Sequence, residues 1–248
     1  MYLIGDIGNS EIKICLVNSR KIIIKRISFT SKNISLRKIR TNLKSLSRYY
    51  SNIKKIIFCS VVPKIFNLIK NFLNSKTNLK CFEIKNLDLS SLLKIKVNYN
   101  QVGSDRIANS ISLAKSKKNF IIIDLGTATT FDVLIGKNYI GGIIAPGIKI
   151  SLNTLSDNAT LIPKINLKKI RKVIGVDTKS AVRSGFFWGY VGLIDNIISL
   201  IKKETRKSFK VIITGGFSKL IKNSIKSKVI EDKNITLNGL IKTLELIK

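Results

Sequence analysis

The chain contains no histidine, and only 14 of its 248 residues are acidic. Without histidine, any general base acting near neutral pH must be a carboxylate, a cysteine, a lysine or a tyrosine. The three cysteines, Cys15, Cys59 and Cys81, are odd in number and lack CxxC spacing, and each sits in or beside an apolar run. They read as core thiols, which implies neither a disulfide framework nor a zinc site. No apolar run approaches the ~18 residues of a membrane span. The nearest, Phe186 to Leu200, is interrupted by Asp195 and several glycines and reads as a buried helix. No basic segment precedes an apolar one at the N-terminus, so no signal peptide and a cytoplasmic location are expected. Linkers rich in Pro, Gly or Ser, low-complexity segments and short repeats are also missing.

Against this background one pattern occurs twice. Tyr2-Leu-Ile-Gly-Asp6-Ile-Gly8-Asn9-Ser10 and Phe120-Ile-Ile-Ile-Asp124-Leu-Gly126-Thr127 each run an apolar strand into an Asp, then a Gly, then a small polar side chain. A second strand-like run follows each: Ile12 to Val17, and Thr130 to Ile135. Such a turn offers an acid, bare backbone and hydroxyls, a combination suited to phosphate and its magnesium. Acids this scarce, gathered at Asp6, Asp105, Asp124 and Asp132 beside glycine motifs, point to a site rather than to solubility. Two copies about half a chain apart suggest a duplicated nucleotide-binding fold with its cleft between the halves.

The formal net charge is +31. A nucleic-acid footprint would gather such charge in a patch or module. Here the lysines run from end to end among abundant Ile, Asn and Ser, which is the mark of an A/T-rich coding sequence. The charge is read as compositional drift, and a nucleic-acid partner is not expected. A diffuse positive field still draws anionic nucleotide weakly, in a salt-dependent way.

Strands are predicted at 2–7, 11–18 and 21–29, a basic amphipathic helix from Ser35 to Tyr50, a strand from Lys55 to Val61, a helix opened by Pro63 and a strand from Leu79 to Ile84. This β-β-β-α-β-α-β order is the ribonuclease H-like pattern, and a connecting helix runs from Ser104 to Lys115. Strands near 119–124, 129–135 and 138–144 restart it. Helices near 148–156 and 178–203, a strand at 209–214, and helices near 217–223 and 236–247 complete it. The expected fold is therefore α/β, a duplicated ribonuclease H-like (actin-like ATPase) fold with halves at 1–115 and 116–248.

Asp124, at the end of a buried strand, needs a cation or donors to offset its burial. Asp132 reads equally as a structural hydrogen-bonding group. Gly103-Ser104-Asp105-Arg106 precedes a helix. Ser104 or Asp105 can cap that helix, or Asp105 and Arg106 can act as a base and an anion clamp. With histidine missing, Asp105 is the best-placed group to deprotonate an alcohol. Gly141-Gly142…Pro146-Gly147 reads as a site wall or a turn, and Thr214-Gly215-Gly216 as a nucleotide contact or a strand-to-helix turn.

Taken in order, Asp6 to Ser10, Gly103 to Arg106, Asp124 to Asp132, Gly141 to Gly147, Thr178 with Gly185 and Gly189, and Thr214 to Gly216 resemble the type III pantothenate kinases. That family is a branch of the acetate and sugar kinase, heat-shock chaperone and actin superfamily. The resemblance covers nearly the whole chain. It implies ATP-dependent phosphorylation of the primary hydroxyl of pantothenate, the first step of coenzyme A synthesis. It places the catalytic base at Asp105 and pantothenate contacts at Tyr99, Gly103, Ser104, Asp105, Arg106 and Thr178. ATP would lie along Asp6, Ile7, Gly8, Asn9, Ser10, Glu11, Ile12 and Lys13, and meet Thr127. Asp124 matches a monovalent-cation ligand, for K⁺ or NH₄⁺, and Asp6 would serve Mg²⁺ through ATP. A homodimer is implied as well. Ser10 stands where the family usually has Thr, and Tyr99 lies four residues before Gly103 with no Pro between.

Two other readings belong to different classes. A transcription-accessory, DNA-associated member of the family would suit the charge but has no need of the acids at 6, 105 and 124. A sugar or acetate kinase would share the nucleotide side but has no reason to carry Gly103 to Arg106.

Overall fold

The computed structural model describes residues 1–116 and 118–247. It divides into two compact units, one made of residues 1–115 with 234–248, the other of 116–233.

The first unit is built on a sheet of five strands, β1 (Tyr2–Ile7), β2 (Glu11–Val17), β3 (Ile23–Thr30), β4 (Lys55–Ser60) and β5 (Cys81–Glu83), in the order β3-β2-β1-β4-β5. The β1–β2 and β2–β3 pairs are antiparallel, and the β1–β4 and β4–β5 pairs are parallel. Runs such as Lys55-Ile-Ile-Phe-Cys-Ser60 are buried along nearly their whole length, as expected of strands covered on both faces. Two helices connect these strands. In α1 (Leu36–Leu43), the Ser35 hydroxyl accepts from the Lys38 amide and caps the start. In α2 (Pro63–Thr77), Pro63 occupies the first turn, where its missing N–H costs nothing. Ile65, Phe66, Ile69 and Leu73 of α2 pack with Ile39 and Leu43 of α1 into the core that also holds Leu3, Ile14 and Phe58. A two-residue strand, β6 (Lys94–Ile95), and α3 (Ser104–Leu113) follow.

The helix predicted to reach Tyr50 is α-helical only to Leu43, and 3₁₀ geometry runs from Lys44 to Asn52. The Ser47 hydroxyl bonds the Lys44 carbonyl, a local alternative to the α ladder that serine favours.

The second unit repeats the sheet. Its strands are β7 (Phe120–Leu125), β8 (Ala128–Ile135), β9 (Asn138–Pro146), β10 (Lys210–Thr214) and β11 (Val229–Glu231). They run β9-β8-β7-β10-β11, with the first two pairs antiparallel and the last two parallel. Strand β11 has no counterpart in the sequence reading. Helices α4 (Ile148–Asn158), α5 (Thr178–Thr205) and α6 (Ser218–Ile221) accompany the sheet. Asp177 and Ser180 form a reciprocal capping box at the start of α5. By length and composition α5 could cross a membrane, yet Phe187, Val191, Ile194 and Ile198 are buried in this unit's core. Cys15, Cys59 and Cys81 are free and buried.

The fold is thus a duplicated α/β ribonuclease H-like architecture. One assignment needs correcting: the C-terminal segment, expected in the second half, belongs to the first unit. Its helix, α7 (Ile235–Thr243), packs along α3. Gly239 makes this close approach possible, because a Cβ there would stand 1.8 Å from the Ala108 carbonyl oxygen. The Thr236 hydroxyl donates to Asn109 Oδ1 at 2.8 Å, and Lys242 Nζ donates to the Ser112 carbonyl.

Candidate active site

In the first unit, β1 delivers Asp6 to the C-terminal end of the sheet, the region where open α/β sheets place their ligands. The turn after it is tight. The Gly8 amide donates to the Glu11 carbonyl at 3.0 Å, and the Ser31 hydroxyl donates to the Gly8 carbonyl at 2.6 Å. Asn9, Ser10 and Glu11 are exposed, while Ile7 and Ile12 lie fully in the core. Neither isoleucine is therefore open to a ligand. Lys13 Nζ lies 3.4 Å from Glu11 Oε2 at the rim of the turn.

Strand β4 runs parallel to β1 with Cys59 in register with Asp6. The Cys59 thiol donates to Asp6 Oδ1 at 3.5 Å. Burial pushes the Asp6 carboxyl up to about 6, opposed by the Lys13 ammonium and reinforced by the charge of Asp105. The structure therefore brings Asp6 and Asp105 into one electrostatic neighbourhood. Asp105 occupies the first turn of α3, where the Arg106 amide donates to its Oδ1 at 2.8 Å. Burial raises its pKa, and the Arg106 amide and guanidinium oppose the rise.

Gly103 is the N-cap of α3, Ser104 is buried, and the Glu83 carboxylate accepts from the Lys85 amide at 2.7 Å and from the Ser60 amide at 3.4 Å. The Tyr99 hydroxyl donates to the Lys85 carbonyl at 2.8 Å, and Lys85 Nζ lies 5.2 Å from the ring centroid. Tyr99 and Lys85 line a cavity of about 240 Å³ with Asp88, Ser90 and Leu93. Two residues here escaped the sequence reading, Cys59 and Glu83. The register of β4 against β1 would have located the first. The scarcity of acids was the available signal for the second.

In the second unit, Asp124 stands at the end of β7 as Asp6 does on β1. Its cross-strand partners are Thr130 on β8 and Thr214 on β10. Thr127 is exposed in the turn, which the Gly126 amide closes onto the Ala128 carbonyl at 3.1 Å. Gly147 fits directly against this turn, since a Cβ there would lie 2.0 Å from the Thr127 carbonyl oxygen. Asp132 is fully buried and accepts from the Tyr139 hydroxyl at 2.8 Å, so its structural reading holds. Thr178 is the exposed first residue of α5. An apolar cavity of about 410 Å³ is lined by Pro146, Leu155, Val182, Phe186, Tyr190 and Leu193.

These groups suit hard cations and phosphate. Carboxylates and hydroxyls are the oxygen ligands that Mg²⁺ and alkali cations take. Among the described residues no group of three or more His, Cys, Asp or Glu side chains forms a metal cluster. A cation here would share its coordination with phosphate oxygens and water, as Mg²⁺ does in phosphoryl-transfer sites.

Comparison with known proteins agrees with this chemistry. A family model described as type III pantothenate kinase matches residues 2–200. A type III pantothenate kinase of Pelagibacter ubique (strain HTCC1062) is 60% identical over 248 residues, covering all of both chains. Among solved structures, a Campylobacter jejuni protein assigned to the Baf family of transcriptional activators is 21% identical. It has a TM-score of 0.57, with 98% of this chain and 97% of that one covered. A Sinorhizobium meliloti protein assigned as a 2-dehydro-3-deoxygalactonokinase is 8% identical, with a TM-score of 0.62 and complete coverage of both chains. At those identities the two structures bear on the fold alone.

Proposed function

The chain belongs to the type III pantothenate kinase family and phosphorylates pantothenate in coenzyme A biosynthesis, and we propose that Asp105 is the base that prepares the alcohol for attack. The observation that carries this reading is the state of Asp105. It is a buried carboxyl whose pKa is raised, fixed by the Arg106 amide, in a chain with no histidine to take its place. A base need only be ionised and within reach of the hydroxyl, and a raised pKa brings it nearer the operating pH.

Phosphoryl transfer asks the protein for alignment and charge neutralisation more than for covalent chemistry. We assign ATP to the Asp6–Lys13 turn. The exposed Asn9, Ser10 and Glu11 and the half-buried Gly8 are the contacts on offer, while Ile7 and Ile12 are fully buried behind them. Lys13, restrained by Glu11, reaches toward phosphate. In the second unit, Thr127 is the assigned phosphate contact. When bound with ATP, Mg²⁺ would neutralise phosphate charge, and Asp6 is the carboxylate assigned to hold it, directly or through water. Asp124, set among Thr130 and Thr214, is assigned to a monovalent cation, K⁺ or NH₄⁺. Pantothenate is assigned to Tyr99, the Gly103–Arg106 turn and Thr178. Asp105 takes the hydroxyl proton, and Arg106 steadies the substrate or the developing charge.

A homodimer is also proposed. Ala181, Gly185, Gly189, Gly192, Asn196 and Ser199 form an exposed stripe along α5. A Cβ at any of its three glycines would meet nothing within 4 Å. Small residues at this spacing let a second helix approach closely. Gly189→Trp should convert a dimer to monomer in sedimentation velocity, and an unchanged sedimentation coefficient would remove α5 from the interface. The cytoplasm is the proposed location.

The decisive assay is pantothenate-dependent ATP turnover with Mg²⁺ and K⁺, wild type beside Asp105→Asn. We expect kcat to fall about 10²–10⁴-fold, the range for loss of a general base. Equal turnover in both proteins would keep the reaction and remove Asp105 as its base. The DNA-associated reading is not favoured beside a kinase relative that is 60% identical across the full chain.

A further inference from the structure

Lys85, just after β5, grips one loop with its side chain and its backbone together. Its ammonium donates to the carbonyls of Asn100 and Val102, at 3.1 Å each. Its own carbonyl accepts from the Tyr99 hydroxyl at 2.8 Å, and Nζ stands 5.2 Å from the centroid of the Tyr99 ring. Lys85 is itself held from behind, since its amide donates to Glu83 Oε2 at 2.7 Å. The loop it grips is the single 3₁₀ turn Tyr99–Gln101. Inside that turn the Asn98 side chain accepts from the Asn100 amide, and the Val102 amide closes onto the Tyr99 carbonyl. Val102 is buried, and Gly103, the cap of α3, follows it directly, with Ser104, Asp105 and Arg106 next. An ammonium can bridge neighbouring carbonyls because its donors rotate freely, and a charged donor makes a stronger hydrogen bond than a neutral one.

We propose that Lys85 is a positioning residue that clamps the Tyr99–Val102 loop, and so sets how Tyr99 and the Gly103–Arg106 turn meet pantothenate. The Tyr99 hydroxyl proton is then committed to the Lys85 carbonyl, and Tyr99 meets substrate as an acceptor or through its ring. Lys85 and Tyr99 both line the cavity of about 240 Å³, so the clamp also shapes that wall. None of the clamp's contacts is with a residue assigned to the nucleotide. Loss of the Lys85 ammonium should therefore appear on the pantothenate side of the kinetics. The inference rests on the assignment of Tyr99 and the Gly103–Arg106 turn to pantothenate, and it does not require Asp105 to be the base.

The test uses the full-length enzyme with Lys85→Met, Lys85→Arg, Tyr99→Phe and the double variant Lys85→Met/Tyr99→Phe. Each is measured for kcat, both KM values, the thermal unfolding midpoint and amide hydrogen exchange across residues 99–106. Lys85→Met keeps the length of the side chain and removes its donors. It should lower kcat/KM for pantothenate by about 10–100-fold, the effect of losing hydrogen bonds from a charged donor. Its KM for ATP should stay within about twofold. Exchange at the loop amides should speed up, because fewer bonds hold the loop closed. Lys85→Arg keeps a cation with N–H donors and should recover at least about threefold of the loss. Tyr99→Phe should cost about 2–10-fold. The double variant should lose less than the product of the two single losses, because both release the same loop.

Unchanged pantothenate kinetics in Lys85→Met would overturn the proposal, and hydrogen exchange then tells which part failed. Faster exchange would mean that the loop was freed and that its assignment to pantothenate is wrong. Unchanged exchange would mean that Lys85 does not hold the loop. An equal loss on the ATP and pantothenate sides that tracks the unfolding midpoint would also overturn it, as would a Lys85→Arg variant no better than Lys85→Met. If Lys85→Met does not fold, Tyr99→Phe carries the comparison through the same kinetics and the same amides, and wild-type behaviour there would sink the clamp.

Discussion

Asp6 and Asp124 occupy the same place in two sheets of the same strand order, yet their surroundings differ in kind. Each ends the central strand, with an antiparallel partner on one side and a parallel partner on the other. On the parallel side Asp6 faces Cys59, a buried thiol, whereas Asp124 faces Thr214, a hydroxyl. A thiol is a weak donor and does little to offset desolvation, so Asp6 carries a pKa of about 6. Threonines on both neighbouring strands give Asp124 an environment of oxygen atoms. The scaffold decides where an acid stands, and one cross-strand neighbour decides what that acid is suited to.

The comparison can be broken by exchanging each acid for its amide. Asp6→Asn should have the larger effect on turnover, a loss on the order of 10²–10³-fold, as for removal of one preorganised electrostatic group. The same variant should be more stable than wild type in the absence of ligand. The folded pKa of Asp6, about 6, lies above its ordinary value of 3.8. The folded state therefore holds this proton more tightly, and stability from it is fully present below the unfolded value and lost as pH rises through about 6. Denaturant unfolding at pH 7.5 should show Asp6→Asn more stable by about 1–3 kcal/mol, with the gain gone at pH 4. A variant no more stable than wild type at pH 7.5 would mean the buried carboxyl is better solvated than its surroundings indicate.

Asp124→Asn sharpens the contrast, because it should act on cation dependence. Activation by K⁺ should weaken at least about tenfold in the concentration needed, the consequence of losing one charged ligand worth about 1.4 kcal/mol. A K⁺ titration that superimposes on that of wild type would end the cation assignment. The smallest effect on turnover is expected at the contact between α7 and α3. Gly239→Ala pushes a methyl into the Ala108 carbonyl 1.8 Å away, and should cost about 1–3 kcal/mol in unfolding free energy. Its KM values should be those of wild type, and a neutral effect would show that α7 can move off α3 at little cost.

Much of the site was legible in the sequence because its signals are local. A strand that ends in Asp and Gly must turn, and a Gly before Ser104 and Asp105 must start a helix. What was not legible depends on registers between distant segments. Nothing near Asp6 in the chain names Cys59, which is 53 residues away. Glu83 looked like any strand-end acid until its two amide donors, Lys85 and Ser60, were in view. The serines after Leu43 were a local warning against a longer helix, and apolar spacing outweighed it in the reading.

By itself, the sequence determined the two acid turns, the alternation of strands and helices, and the lack of any histidine base. These follow from side-chain chemistry and periodicities that span only a few residues. Only the tertiary structure decided that a thiol stands beside Asp6, that Glu83 accepts from the end of β4, and that the last helix belongs to the first unit. Strand register and the close contact permitted by Gly239 arise from packing between segments far apart in the chain, which no local pattern encodes.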